Sequence, residues 1–75
     1  MTDKEKLLAG IKLIKEACHN SDFVIEDFLD EDLTELKKQY SSLPASRVSF
    51  MIASGYEREP VGFDFDELGN FLGRF

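Results

Sequence analysis

The sequence predicts an α+β fold: N-terminal helices packed on a two-stranded antiparallel hairpin, with a short C-terminal helix. Three observations predict it. Apolar residues recur at helical spacing through the first forty or so positions, the period drops to two after Pro44, and helical spacing returns after Asp66. Seventy-five residues make a single small globular domain, 1–75, able to fold alone but too small to surround a buried active site comfortably. The 43% hydrophobic content, with seven Phe, is that of a folded chain and argues against disorder.

The first helix is marked by Thr2-x-x-Glu5, which has capping-box spacing, and by Leu7, Ile11, Ile14 and Cys18 on one face. It should run to about His19. Asn20-Ser21-Asp22 then stops it, because these side chains compete for local backbone hydrogen bonds. Between Phe23 and Leu43, Ile25, Leu29, Leu33, Leu36, Tyr40 and Leu43 form one stripe, with Glu26, Asp27, Asp30, Glu31 and Glu35 on the other side. A break at Asp30 divides this stretch into a short helix and a second one. Asp30, Glu31 and Asp32 then complement the macrodipole at the start of that second helix, and Lys37 and Lys38 suit its end.

After Pro44, Val48, Phe50 and Ile52 alternate with Ser49, Met51 and Ala53, and Val61, Phe63 and Phe65 alternate with Gly62 and Asp64. The Gly55 to Pro60 interval supplies turn residues, so the two runs read as a hairpin. Asp66 then caps a short helix carrying Leu68, Phe71, Leu72 and Phe75 on one face. The expected core is Leu7, Ile11, Ile14, Ile25, Leu29, Leu36, Val48, Phe50, Ile52, Phe63, Phe65, Leu68 and Leu72.

Residues 44–55 also admit a helix, since Leu43, Ala45, Val48, Met51, Ile52 and Gly55 fit a 3.6-residue face with Pro44 in its first turn. On that alternative, Leu36-Lys37-Lys38, then Ala45-Ser46-Arg47-Val48-Ser49, then Gly55, Arg58-Glu59-Pro60 and Leu68 resemble the lambda-repressor-like helix-turn-helix family. Three intervals are each one residue longer than that pattern. The resemblance implies an all-α helix-turn-helix-like bundle and a transcriptional regulator or antirepressor acting by protein–protein contact.

Charge narrows the partners. From Glu16 to Leu36 the chain carries eight carboxylates and no Lys or Arg, and the net charge is −6. Such a field repels nucleic acid and anionic membranes and attracts basic surfaces. The expected partner is therefore a protein with a basic surface, with no direct nucleic-acid contact and no membrane, and the sequence leaves the oligomeric state open. Met1-Thr2-Asp3-Lys4-Glu5-Lys6 opens with mixed charge and does not read as a leader, and Cys18 stands alone, so no internal disulfide can form. Both point to the cytoplasm, of a cell or of an infected host.

Catalytic groups are scarce. Cys18 and His19 are the only thiol and imidazole, and on a helix they point about 100° apart, so one cannot serve as base for the other. Cys18 reads as a small buried hydrophobe and His19 as a partner of the helix C-terminus. Asp30-x-Asp32 starts like a calcium loop, but Glu35 stands where that loop needs Gly and Ser41 where it needs the bidentate Glu. No cofactor or metal is expected. These features read as a non-enzymatic protein-binding module. Its most concrete form is an inhibitor docking an acidic face on the basic nucleic-acid-binding surface of a host or defence protein, of phage anti-CRISPR or anti-restriction type. Seven carboxylates in residues 22–35 would match part of the roughly twelve phosphates that duplex DNA presents over about 20 Å. The candidate contact residues are Glu26, Asp27, Asp30, Glu31 and Glu35, with Tyr56 and Arg58 of the hairpin turn beside them.

Overall fold

Alternation of apolar and polar side chains after Pro44 builds the centre of the molecule, as the period-two pattern requires. The computed structural model describes residues 1–19 and 23–75. Along the chain stand α1 (Asp3–Ala17), β1 (Phe23–Asp32), α2 (Thr34–Lys37), β2 (Ser46–Ser54), β3 (Glu57–Phe65) and β4 (Phe71–Arg74). The four strands form one antiparallel sheet in the order β1-β2-β3-β4, with α1 packed on one face, an α+β architecture.

The expected hairpin is β2 and β3, but its turn is shorter than the sequence suggested. Ser54 pairs with Glu57, leaving Gly55 and Tyr56 as the connection. Gly55 has φ 60°, the first-position geometry of a II′ turn, which a side chain would disfavour. Pro60, expected in the turn, lies within β3 opposite Met51. It is tolerated because β4 pairs only with Phe63 to Phe65, so this part of β3 is a sheet edge. These strands also correct the helical alternative, since Ser46–Ser54 is extended and no recognition helix forms there.

Val48, Phe50, Val61 and Phe65 turn the same side of the hairpin toward Ile11 of α1, flanked by Leu7, Leu8, Ile25, Ile52 and Phe63. Val48 and Phe65 are the most completely buried side chains, at 0% and 1% exposure. Each contributes about 1.5–3 kcal/mol by leaving water. The helix that delivers Ile11 is capped as expected: Thr2 and Glu5 exchange hydrogen bonds of 2.9 and 3.1 Å. It ends at Ala17, with Cys18 as the capping residue, and the expected stop at Asn20 to Asp22 lies outside the described residues.

Two expectations are corrected. The stretch read as a second pair of helices is mostly β1, and only the four-residue α2 remains helical. The cause is a β-bulge between Glu26 and Leu29, where Asp27, at φ 53°, and Phe28 together face one residue of β2. That extra residue separates same-side residues by three positions, which imitates a helical stripe. At the other end, residues 66–70 make a turn and Phe71–Arg74 joins the sheet as β4, so the C-terminal helix is not formed and the sheet has four strands where two were expected. With these changes Ile14, Leu29, Leu36, Leu68 and Leu72 move from the expected core to exposed positions, while Leu33, Ala45, Ala53 and Val61 are buried.

Candidate protein-binding surface

Because β1 is a strand, its carboxylates cannot share one face. Side chains alternate across a sheet, and the register places Glu31 beside Arg47 on the face away from α1, while Asp30 and Asp32 point to the α1 side. The continuous acidic helix face expected from the sequence is absent. Several of its members are also neutralised. Glu26 forms an ion pair with Arg58, Asp30 lies 2.9 Å from Lys4 Nζ, and Glu35 of α2 lies 3.2 Å from Lys38. Asp27 sits at the bulge, on the rim of a hollow in the opposite face.

The seven residues singled out from sequence therefore spread along the molecule. Glu26 and Arg58 meet near the hairpin turn, where Tyr56 is fully exposed, whereas Glu35 lies beyond the far end of β1. Tyr56 lies in that turn and Arg58 in β3 beside it, and neither joins the acidic groups at the other end of the sheet.

Negative charge gathers instead in a cleft between α1, the end of β1 and the β3–β4 turn. Its volume is about 490 Å³, and Glu5, Asp30, Asp32, Asp66 and Glu67 line it, together with Lys4. Local hydrogen bonds hold these carboxylates in place. Asp32 accepts from the Thr34 N–H at 2.9 Å and from its hydroxyl at 2.7 Å, and Asp66 accepts from the N–H groups of Asn70 and Leu68 at 2.8 and 2.9 Å. Glu67 lies 2.6 Å from Lys37 Nζ.

The same bonds set the protonation of the cleft. Hydrogen bonds from Thr34 hold Asp32 below the usual carboxylate range, and those from Asn70 do the same for Asp66. Thr2 lowers Glu5, and the Lys37 ammonium lowers Glu67. Four carboxylates thus stay ionised into mildly acidic solution. Sequence reasoning missed Glu5, Asp66 and Glu67, which stand far from the acidic run. Glu5 and Asp66 carried only capping signals, Glu5 for α1 and Asp66 for a helix that is not formed, and Glu67 carried none.

At the end of α1, His19 Nδ1 lies 2.8 Å from the Glu16 carbonyl oxygen, the C-terminal contact expected of it. Cys18, expected to be buried, is only half-buried and lines a small hollow together with Ile14, Val24 and Ile25. Among the described residues no group of three or more His, Cys, Asp or Glu side chains is arranged to hold a metal ion, and no helix is long and apolar enough to cross a membrane. No family model, curated protein or solved structure matches the chain.

Proposed function

We propose that this chain is a small non-enzymatic binding module that receives the basic surface of a partner protein in its acidic cleft. One observation carries the reading: carboxylates from α1, β1 and the β3–β4 turn converge on one opening, and Lys4 and Lys37 balance only part of their charge. A guanidinium or ammonium entering such a site gains charge-assisted hydrogen bonds from several directions, and the net charge of −6 steers it there. The same field discourages direct nucleic-acid binding. In the cell or infected host, the class of partner that fits is a nucleic-acid-handling protein whose basic groove the module occupies, as an inhibitor of anti-CRISPR or anti-restriction type would. The supporting features are acidity and small size.

An Arg- and Lys-rich peptide titrated into labelled protein tests the reading. Its shifts should centre on Glu5, Asp30, Asp32, Asp66 and Glu67, a DNA duplex should cause none, and affinity should fall as salt rises from about 0.05 to 0.3 M. Combining Asp30→Lys with Glu67→Lys should weaken peptide binding by at least about tenfold. Unchanged affinity in that double variant would reject the cleft.

A further inference from the structure

On the face of the sheet turned away from α1, a hollow of about 450 Å³ lies among Ser49, Met51, Pro60, Gly62 and Phe75, with Asp27 at its rim. Its volume is that of a small-molecule site, and its wall is mostly apolar, as the walls of such sites are. The Phe75 ring rests on Gly62 and stays 60% exposed, and Pro60 stands opposite Met51. An aromatic ring, a thioether and a pyrrolidine therefore border one recess.

Asp27 is the single ionisable side chain in that lining. Among the described residues its carboxylate has no ion-pair or hydrogen-bond partner, whereas Glu26 is engaged by Arg58 and Asp64 by Arg47. The bulge sets it there. At φ 53° Asp27 leaves the regular alternation of β1, and bulges re-aim side chains beside binding sites, where backbone strain also gathers. An unpaired carboxylate at the mouth of an apolar recess complements one chemistry, a cation joined to an apolar body.

We propose that the hollow binds an arylalkyl ammonium, its aromatic body against Phe75, Met51 and Pro60 and its ammonium at the Asp27 carboxylate. An aromatic ligand gains from the Phe75 ring and the Met51 sulfur beyond the area it buries. Its ammonium makes a charge-assisted hydrogen bond to Asp27 without breaking an existing pair, and the net charge of −6 draws cations to the molecule. No Lys or Arg lines the hollow, and Arg47, whose guanidinium lies over the Phe75 ring, is held by Asp64. The acidic cleft lies on the α1 side of the sheet, so the two sites are separate and neither proposal depends on the other.

Tryptamine tests the site. The chain contains no Trp, so indole fluorescence reports the ligand alone. It should change saturably with the full chain, with a dissociation constant of about 1 mM or below. In labelled protein the amide shifts should centre on Ser49, Met51 and Gly62. 3-Methylindole, which lacks the ammonium, and indole-3-propionate, which carries a carboxylate in its place, should each bind at least about tenfold more weakly, a comparison independent of any variant. Asp27→Asn keeps a residue that tolerates φ 53° and removes the charge, so it should weaken tryptamine at least about tenfold while circular dichroism stays native. Glu57→Gln makes the same charge change at an exposed position outside the hollow and should alter affinity less than about twofold. Absence of saturable binding, equal binding of 3-methylindole, or shifts centred on Glu5 and Asp66 of the cleft would overturn the proposal. So would unchanged affinity in folded Asp27→Asn, or a loss in Glu57→Gln as large as that in Asp27→Asn.

Discussion

Phe75 fills the space above Gly62 that a side chain there would need. The guanidinium of Arg47 lies 3.9 Å from the centre of the same ring and holds Asp64 through two hydrogen bonds of 2.6 and 3.1 Å. A glycine, an aromatic ring and an ion pair are thus stacked across β2, β3 and the end of the chain described. The hydrogen bonds that Arg47 donates to Asp64 also raise the Arg47 pKa above its ordinary value.

Gly62→Ala should expel the ring, because the new Cβ and the ring cannot occupy one place. The expected cost is about 1 kcal/mol, the scale of one aromatic contact with its cation–π partner. NMR should also show the ring-current shift at residue 62 disappear. Unchanged shifts and stability would mean that Phe75 does not rest there in solution.

Asp27 holds φ 53° at the bulge, a region that Asp tolerates and β-branched residues avoid. Asp27→Gly should therefore be neutral or stabilising by up to about 1 kcal/mol, whereas Asp27→Val should cost about 1–2 kcal/mol. Urea denaturation of both variants checks the ordering, and a more stable Val variant would remove the bulge from the explanation of β1.

Acid should weaken the fold through specific carboxylates. Glu5, Asp32, Asp66 and Glu67 all have folded pKa values below their ordinary ones, so their contributions are present above the unfolded values and disappear as pH falls through the folded ones. The window opens near pH 4 and extends downward. Asp66→Asn keeps an oxygen for the N–H groups of Leu68 and Asn70 but cannot titrate. Its denaturation midpoint should fall less than that of wild type between about pH 5 and 2.5. Parallel curves would remove Asp66 from the acid response.

Phe65→Ala should cost about 3–5 kcal/mol, since the side chain is 1% exposed and packs against Phe71 as well as the α1-facing core. A domain of this length holds on the order of 5 kcal/mol in total. Circular dichroism at 25 °C should therefore show a largely unfolded variant, and a cooperative, near-native melt would indicate that the core relaxes around the gap.

Sequence periodicity was informative where a strand or helix is regular and misleading where it is bulged. The capping box of Thr2 and Glu5 marked α1, and unbroken alternation from Val48 to Ile52 and from Val61 to Phe65 marked the central hairpin. In β1 the bulge places Ile25 and Phe28 toward α1 and Glu26 and Leu29 toward the open face, a three-residue spacing that reads as helix. The irregular pairing of β4 does the same for Phe71 and Arg74, both set against aromatic rings of β3. For the candidate site, composition revealed the acids of β1 and their preference for a basic partner. Nothing local could bring Glu5 beside Asp66 and Glu67, because only the docking of α1 against the β3–β4 turn creates that neighbourhood.

The two ends of the described chain are stitched together: Lys4 N–H donates to the Gly69 carbonyl at 3.0 Å, and Phe71 N–H donates to Asp3 Oδ2 at 2.9 Å. Each bond requires that both the first turn of α1 and the start of β4 be in place. Neither end gains from arriving alone, so unzipping from one terminus also releases the other. The protein should therefore open at its ends as one cooperative unit, with the amides of Lys4 and Phe71 exchanging with solvent at a common rate while the β2–β3 hairpin stays protected.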